Sequence, residues 1–231
     1  MEEAPQLCRQ VLSAYLRCFL YVRERGVVLL GYDREWEMFQ ERYRPVFYFL
    51  LYLSIGLIIV MFYSFVMAPD VMKKMVNTLT NSLSNKGMLQ DNPSLTLSLK
   101  LFQNNALAAL HSIWTGLVPV IFIPPLLLSM TMMAVGAILA FADFSGHDPF
   151  QMFLLGILPH GIFELTALVY AATVGTYVSI QMAKYFFLKR RIDFSERQLL
   201  LMCIGSYFRV VLPLLAIAAL IEGLVTPILL R

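Results

Sequence analysis

Charged residues are scarce in this chain. Aspartate, glutamate, lysine and arginine make up 14% of its 231 residues, whereas 59% are hydrophobic. A soluble domain needs far more polar surface to cover its core, so this composition excludes that class. Several apolar runs reach the roughly 20 residues that cross a bilayer core, which predicts an all-α polytopic membrane protein.

Cysteines, net charge and catalytic motifs are also in short supply. Three cysteines, Cys8, Cys18 and Cys203, form neither an even disulfide framework nor a metal-type spacing. The net charge of +3 is too small to indicate a nucleic-acid partner. No GxSxG, HExxH, Walker or GxGxxG motif is present, which favours a non-enzymatic function.

The apolar runs and the prolines between them predict five transmembrane helices. The predicted spans are 46–68, 101–118, 124–142, 160–183 and 198–221. Because the residue before a proline resists the helical conformation, Pro159 is expected to end a re-entrant half-helix over 150–158. Residues 1–45 are predicted to form amphipathic helices on the membrane surface, and 69–100 a polar outer segment, within a transmembrane domain of 46–231.

The distribution of basic residues predicts the orientation. Residues 1–45 carry seven arginines and the 184–197 loop carries five lysines and arginines, together 12 of the 18 basic residues. Five spans put both segments on one side of the membrane, and their positive charge marks that side as the cytoplasm. The protein is therefore expected to be a multi-pass protein of the cell membrane, with its N-terminus in the cytoplasm and its C-terminus outside.

Polar side chains from distant parts of the sequence are expected to meet near the outer face. The outer ends of the second, fourth and fifth predicted spans carry Asn104, Asn105, His160, Glu164 and Glu222. His160 and Glu164 are four residues apart, so they share one helix face.

That face of the fourth span continues as a stripe of small residues. The stripe consists of Ala167, Ala171, Gly175 and Ser179. Small residues allow a neighbouring helix to approach closely, so the stripe is expected to turn the His160–Glu164 pair toward the protein interior. Small-residue faces could also form a homodimer, beside contacts with the lipid bilayer and with other membrane or envelope proteins.

Three interpretations of the polar cluster stay open. Hydrogen bonds among its members could lock the helices together as a purely structural network. His160, Glu164 and Glu222 could bind zinc or another divalent metal, because imidazole and carboxylate suit such ions. The carboxylates could instead form a proton or cation path. In the same order, the corresponding functions are a scaffold, an intramembrane metal-dependent enzyme, and a transporter or channel for a small ion or solute.

Two further polar residues lie inside predicted spans. Arg209 lies in the middle of the fifth span, where an unpaired charge is costly, so a carboxylate, carbonyl or water partner is expected. His111 follows Asn104 by two helical turns and is expected to be a packed core histidine beside Trp114.

The second half of the chain resembles the stage II sporulation protein M family, a family of multi-span bacterial and archaeal membrane proteins. The resemblance rests on FQNN…A at 102–106, LPHGIFEL.A at 158–167 and AALIEGLVTP at 218–227. It implies a component of a cell-envelope complex, because the family's namesake acts in spore engulfment with peptidoglycan-degrading partners. The residues that it singles out are Asn104 or Asn105, Pro159, His160, Gly161, Glu164 and Glu222. An NGxxLG-like element of the family is reduced here to Gly136, at the end of TMMAVG.

Overall fold

The computed structural model describes residues 31–68, 70–71, 73–74, 77–78, 95–189 and 196–226. The surface helices predicted before residue 31 and most of the predicted outer segment lie outside these residues. The described residues form helices and no strand, as the apolar runs predict.

Five long helices, α1 to α5, make up the described fold, and several of them contain short π-helical stretches. Their segments, in chain order, are Tyr32–Met38, Phe39–Tyr43 and Arg44–Met67 for α1; Leu95–Trp114 and the 3₁₀ turn Thr115–Leu117 for α2; Ile123–Phe144 for α3; Pro149–Gln151, Met152–Ile157 and Leu158–Leu188 for α4; and Glu196–Ser206, Tyr207–Val211, Leu212–Leu220 and Ile221–Val225 for α5. The π-helical stretches are Phe39–Tyr43, Met152–Ile157, Tyr207–Val211 and Ile221–Val225.

Four of these helices are long and apolar enough to cross a bilayer. They contain Glu35–Met67, Ile123–Phe144, Pro149–Leu188 and Gln198–Val225. Large apolar side chains cover their outer surfaces, such as Phe49 and Tyr52 on α1, which are 64% and 69% exposed. Such surfaces suit contact with lipid, and the protein is accordingly a membrane protein. The helix α2 corresponds to the predicted second span and has 20 residues, but it is not among the four.

The predicted helix break at Pro159 is wrong. Residues Pro149–Leu188 form one continuous helix of 40 residues, so the segment 150–158 is not a separate half-helix. The π-helical stretch Met152–Ile157 ends two residues before Pro159. Proline lacks an N–H and its ring clashes with the carbonyl four residues earlier, and the wider π turn relieves both problems without ending the helix.

The same arrangement recurs in α1 and α5. The stretch Phe39–Tyr43 ends two residues before Pro45, and Tyr207–Val211 ends two residues before Pro213. Because α1 continues through Pro45, the boundary predicted at residue 45 is not a helix end. Residues on both sides of it belong to the core, where Tyr43 and Leu50 are fully buried.

The helix α4 is the centre of the bundle, since nearly every residue from Ala167 to Gln181 is buried. It runs parallel to α2: Asn105 lies beside Glu164, and Val118 lies further along beside Ser179. It runs antiparallel to α5, whose late residue Glu222 meets the early part of α4. The polar ends of α2, α4 and α5 are thereby brought together.

Glycines set the closest helix contacts. A Cβ atom added at Gly136 in α3 would lie 2.8 Å from Met61 Cβ and 2.9 Å from Ile58 O of α1, so only glycine permits this crossing. Added Cβ atoms at Gly116 and Gly175 would overlap backbone atoms where α2 meets α4. The small-residue stripe of α4 therefore packs against α2 inside the bundle, as the sequence predicts.

Candidate functional site

Three ionisable side chains converge where α4 and α5 meet. His160, Glu164 and Glu222 each offer one ligand atom, and these atoms lie within 4.8 Å of one another. His160 is buried, and the two glutamates are partly buried. We call these residues, together with Asn105 and Thr226, the carboxylate site.

Two polar neighbours orient the ligand atoms of the carboxylate site. The Nδ2 amide of Asn105 in α2 donates to Glu164 Oε1 over 2.9 Å. Thr226 Oγ1 lies 3.4 Å from His160 Nδ1 and also 3.4 Å from the carbonyl oxygen of Ile221. If the threonine hydroxyl donates to that carbonyl, its oxygen accepts from His160 Nδ1–H. Nε2 of His160 then carries the free lone pair.

Local backbone structure presents these side chains. Glu222 lies in the π-helical stretch Ile221–Val225, and His160 lies directly after Pro159 and the π-helical stretch of α4. A π-helical stretch changes the angle at which later side chains leave the helix and is common at functional sites. Gly223 lets α5 approach α2, because a Cβ there would overlap Ser98 Oγ and lie 2.8 Å from Ser98 N.

The sequence also singles out Asn104, Pro159 and Gly161, and the three have different positions around the carboxylate site. Asn104 Nδ2 donates to Asn105 Oδ1 over 3.3 Å, so it supports the amide that contacts Glu164. Pro159 lies in the first turn of the regular helical segment that carries His160 and Glu164. Gly161 makes no close helix contact: the nearest atom to an added Cβ is Ile157 Cγ2 of the same helix, at 3.3 Å.

A second polar site lies around Arg209, nearer the start of α5. Arg209 Nη1 forms an ion pair with Glu35 Oε1 of α1 at 2.9 Å. Ser206 Oγ donates to Glu35 Oε2 over 2.7 Å, and Tyr170 OH does so over 3.4 Å. These four residues form the ion-pair site, which supplies the carboxylate partner expected for Arg209.

Glycine makes room for the ion pair. A Cβ at Gly205 would lie 2.7 Å from Arg209 Nη1 and 2.8 Å from Glu35 Oε1. Any larger residue at position 205 would therefore displace the charged groups. Arg209 itself lies in the π-helical stretch Tyr207–Val211, so both polar sites use such a stretch of α5.

Apolar packing separates the two polar sites. Arg209 and Glu222 are 13 residues apart on α5, or about 20 Å along the helix axis. The core between them includes these buried residues from α2, α4 and α5: Ala106, Ala109, Ala167, Leu215 and Ala218.

Sequence reasoning missed Glu35, left Thr226 out of the polar cluster, and placed His111 wrongly. Glu35 lies in a segment predicted to form a surface helix. The signal that could have found it is Arg209, because an arginine within a span needs a carboxylate or another polar partner. Thr226 follows Glu222 by four residues, a spacing that indicates a shared face. His111 is exposed rather than packed in the core, because α2 turns Ala109, Ser112 and Gly116 toward the interior.

Comparison with known proteins finds a family match over the part of the chain that contains the carboxylate site. The family model described as Stage II sporulation protein M matches residues 46–227. No curated protein and no solved structure matches the chain. The match includes every residue of the carboxylate site and begins after Glu35. Because it covers most of the 231 residues, the chain belongs to the stage II sporulation protein M family of membrane proteins.

Proposed function

We propose that this chain is a non-enzymatic membrane component of a cell-envelope complex, and that its carboxylate site binds a divalent cation. The observation that carries the proposal is the convergence of one imidazole and two carboxylates within 4.8 Å. A bound ion would tie α4 to α5, and through Asn105 to α2, so that the bundle presents a fixed surface to its partners. Membership of the stage II sporulation protein M family supports the envelope role.

The surroundings of the site fit a metal ion. Ligating histidines usually donate their second ring N–H to a neighbour, and ligating carboxylates are usually hydrogen-bonded; Thr226 and Asn105 supply these contacts. A zinc ion with bonds of about 2.0–2.2 Å needs ligand atoms about 3.4 Å apart. Rotation of the two glutamate side chains would close the present separation. Zinc and manganese suit this donor set best.

The apolar core favours a static ion over a transported one. A proton or cation path needs polar groups or water along its length. Most buried side chains between the two polar sites are apolar, and the hydroxyl of Tyr207 there donates to the carbonyl oxygen of Ala106. The ion therefore serves the fold rather than a flow across it.

We also propose that the chain crosses the membrane five times, because α2 crosses it in addition to the four apolar helices, and that the N-terminus lies in the cytoplasm. Three contacts along the length of α2 support this count: Asn105 with Glu164, Ser112 with Gly175, and Val118 with Ser179. A helix that runs beside α4 over this distance shares its depth in the membrane. Accessibility of single cysteines to a membrane-impermeant reagent on either side tests the orientation.

Elemental analysis of the protein, purified without chelator, tests the metal. We expect about one equivalent of a divalent ion in the wild type, and a drop of at least tenfold in the Glu164→Gln/Glu222→Gln variant. The control is Glu41→Gln, which removes an exposed carboxylate of α1. A wild type that holds no metal, and whose melting temperature does not rise with added zinc or manganese, overturns the metal proposal.

Two experiments test the scaffold role separately. Photo-crosslinking in native membranes should recover envelope proteins; recovery of none would count against the complex. In proteoliposomes, neither the wild type nor Glu164→Gln should conduct protons or cations. A flux in the wild type that Glu164→Gln abolishes would replace the scaffold with a transporter.

A further inference from the structure

One face of α2 combines polar and apolar residues and is not covered by the described part of the chain. Leu99, Leu107 and Trp114 are 56%, 56% and 53% exposed. Gln103 and His111 lie between them and are also exposed. The spacing of three or four residues puts all five on one stripe of the helix, which we call the α2 stripe.

The two polar residues make this stripe unsuited to lipid. Neither Gln103 nor His111 forms a hydrogen bond to another described residue. A polar group without a hydrogen-bond partner is costly in hydrocarbon. The helix α2 is also not among the four helices that are long and apolar enough to cross a bilayer. Its inner side packs on α4 and α5, so its outer side needs a protein neighbour as well.

We propose that the α2 stripe is the interface between two copies of this chain. A two-fold axis along the membrane normal would place Gln103 opposite Gln103, and His111 opposite His111. An amide carries both donors and an acceptor, and a neutral imidazole carries one of each, so each pairs with its own copy. Such hydrogen bonds between membrane helices favour association.

A groove beside the stripe provides apolar contact. It has a volume of about 250 Å³ and lies between α2 and α5, with Leu110, Trp114, Leu200 and Phe208 among its lining residues. An apolar cavity of about 150 Å³ already accepts a benzene ring. The groove can therefore receive an aromatic side chain of the second copy, and Phe208, 61% exposed, lies at its edge.

The small-residue stripe of α4 cannot serve this purpose. Ala167, Ala171 and Ser179 are fully buried, and Gly175 contacts Ser112 within the same chain. The dimer surface predicted from small residues is thus used inside each copy. The α2 stripe offers the alternative.

Cysteine crosslinking in native membranes tests the interface. The background replaces the native Cys8, Cys18 and Cys203 by serine, and single cysteines are introduced at Gln103 and Leu107. The control is Val60 on α1, which is 57% exposed on an apolar surface. We expect oxidation to join two differently tagged copies through positions 103 and 107 and not through position 60. Equal yields at all three positions, or adducts that contain another protein, overturn the proposal.

A second measurement isolates the hydrogen bonds. Gln103→Leu/His111→Leu should weaken dimerisation about tenfold in detergent, measured by mass as a function of concentration. The control Val60→Leu changes an exposed residue of α1 away from the stripe and should leave dimerisation unchanged. Both side chains are exposed in a single copy, so the variant should keep its melting temperature as a monomer. An unchanged dimer would overturn the role of the polar pair, and a monomeric wild type would overturn the interface.

Discussion

The ion-pair site and the carboxylate site share the helices α4 and α5, and each holds glutamate side chains that are buried or partly buried among apolar residues. In the ion-pair site, Glu35 has a guanidinium at 2.9 Å and two hydroxyl donors. In the carboxylate site, Glu164 and Glu222 lie together, and the donor to them among the described residues is the amide of Asn105.

The difference shows what the second site lacks. A buried carboxylate needs an opposite charge or several donors. The chain supplies both to Glu35 from its own residues, whereas no ion pair joins Glu164 or Glu222 to a described lysine or arginine. In the function proposed above, a cation from outside the chain supplies the missing positive charge. The predictions below test this contrast.

The largest effect is expected from Glu35→Gln, which leaves the charge of Arg209 without a partner. Removal of one member of a buried ion pair costs about 3–5 kcal/mol, and we expect the lower end, since Arg209 is 22% exposed. The free energy of unfolding in mixed micelles measures this loss. The variant Glu35→Gln/Arg209→Met should recover most of it. A loss below about 1 kcal/mol for Glu35→Gln would contradict a self-sufficient ion-pair site.

The second effect concerns the close contact between α2 and α4. Gly175→Ala puts a methyl group into the carbonyl of Ser112, so α2 must move away from α4. Such overpacking costs about 1–3 kcal/mol and should also lower the metal content, because Asn105 moves with α2. Gly56→Ala is the matched control, since an added Cβ there meets nothing within 4 Å. If both variants melt at the same temperature, the helices do not depend on this contact.

The third prediction reverses the sign of the first. In chelator, Glu222→Gln should stabilise the protein by about 1–2 kcal/mol, because it removes repulsion between two carboxylates. In saturating zinc or manganese it should instead destabilise, because a ligand is lost. Thermal unfolding with and without metal measures both signs. Loss of stability in chelator would mean that the carboxylates need each other rather than a cation.

Much of the carboxylate site could be predicted from the sequence, because helix direction alone decides which ends meet. Alternating spans bring the start of one helix beside the end of the next, and this places His160, Glu164 and Glu222 together. Thr226 and Gly223 could not be found in this way, because their contacts depend on helix rotation.

The errors have local causes. Pro159 was expected to end a helix, but the π-helical stretch before it absorbs the missing hydrogen bond. Glu35 falls in the segment predicted to form amphipathic surface helices, whereas in the fold it is buried and paired with Arg209. His111 was assigned to the core by its distance from Asn104, yet α2 faces α4 through Asn105, one residue further round the helix.

The smallest effect is expected from Gly161→Ala, although the family resemblance singles out Gly161. An added Cβ would meet only Ile157 Cγ2 at 3.3 Å, and alanine favours a helix over glycine by about 1 kcal/mol. The two terms oppose each other, so the melting temperature should change little and the metal content not at all. Gly223→Ala, beside Glu222, should lower both the melting temperature and the metal content, because its methyl group overlaps Ser98. Gly161→Ala could instead abolish metal binding while the protein stays folded. That result would mean that the space beside Gly161 is the route by which the ion reaches the carboxylate site.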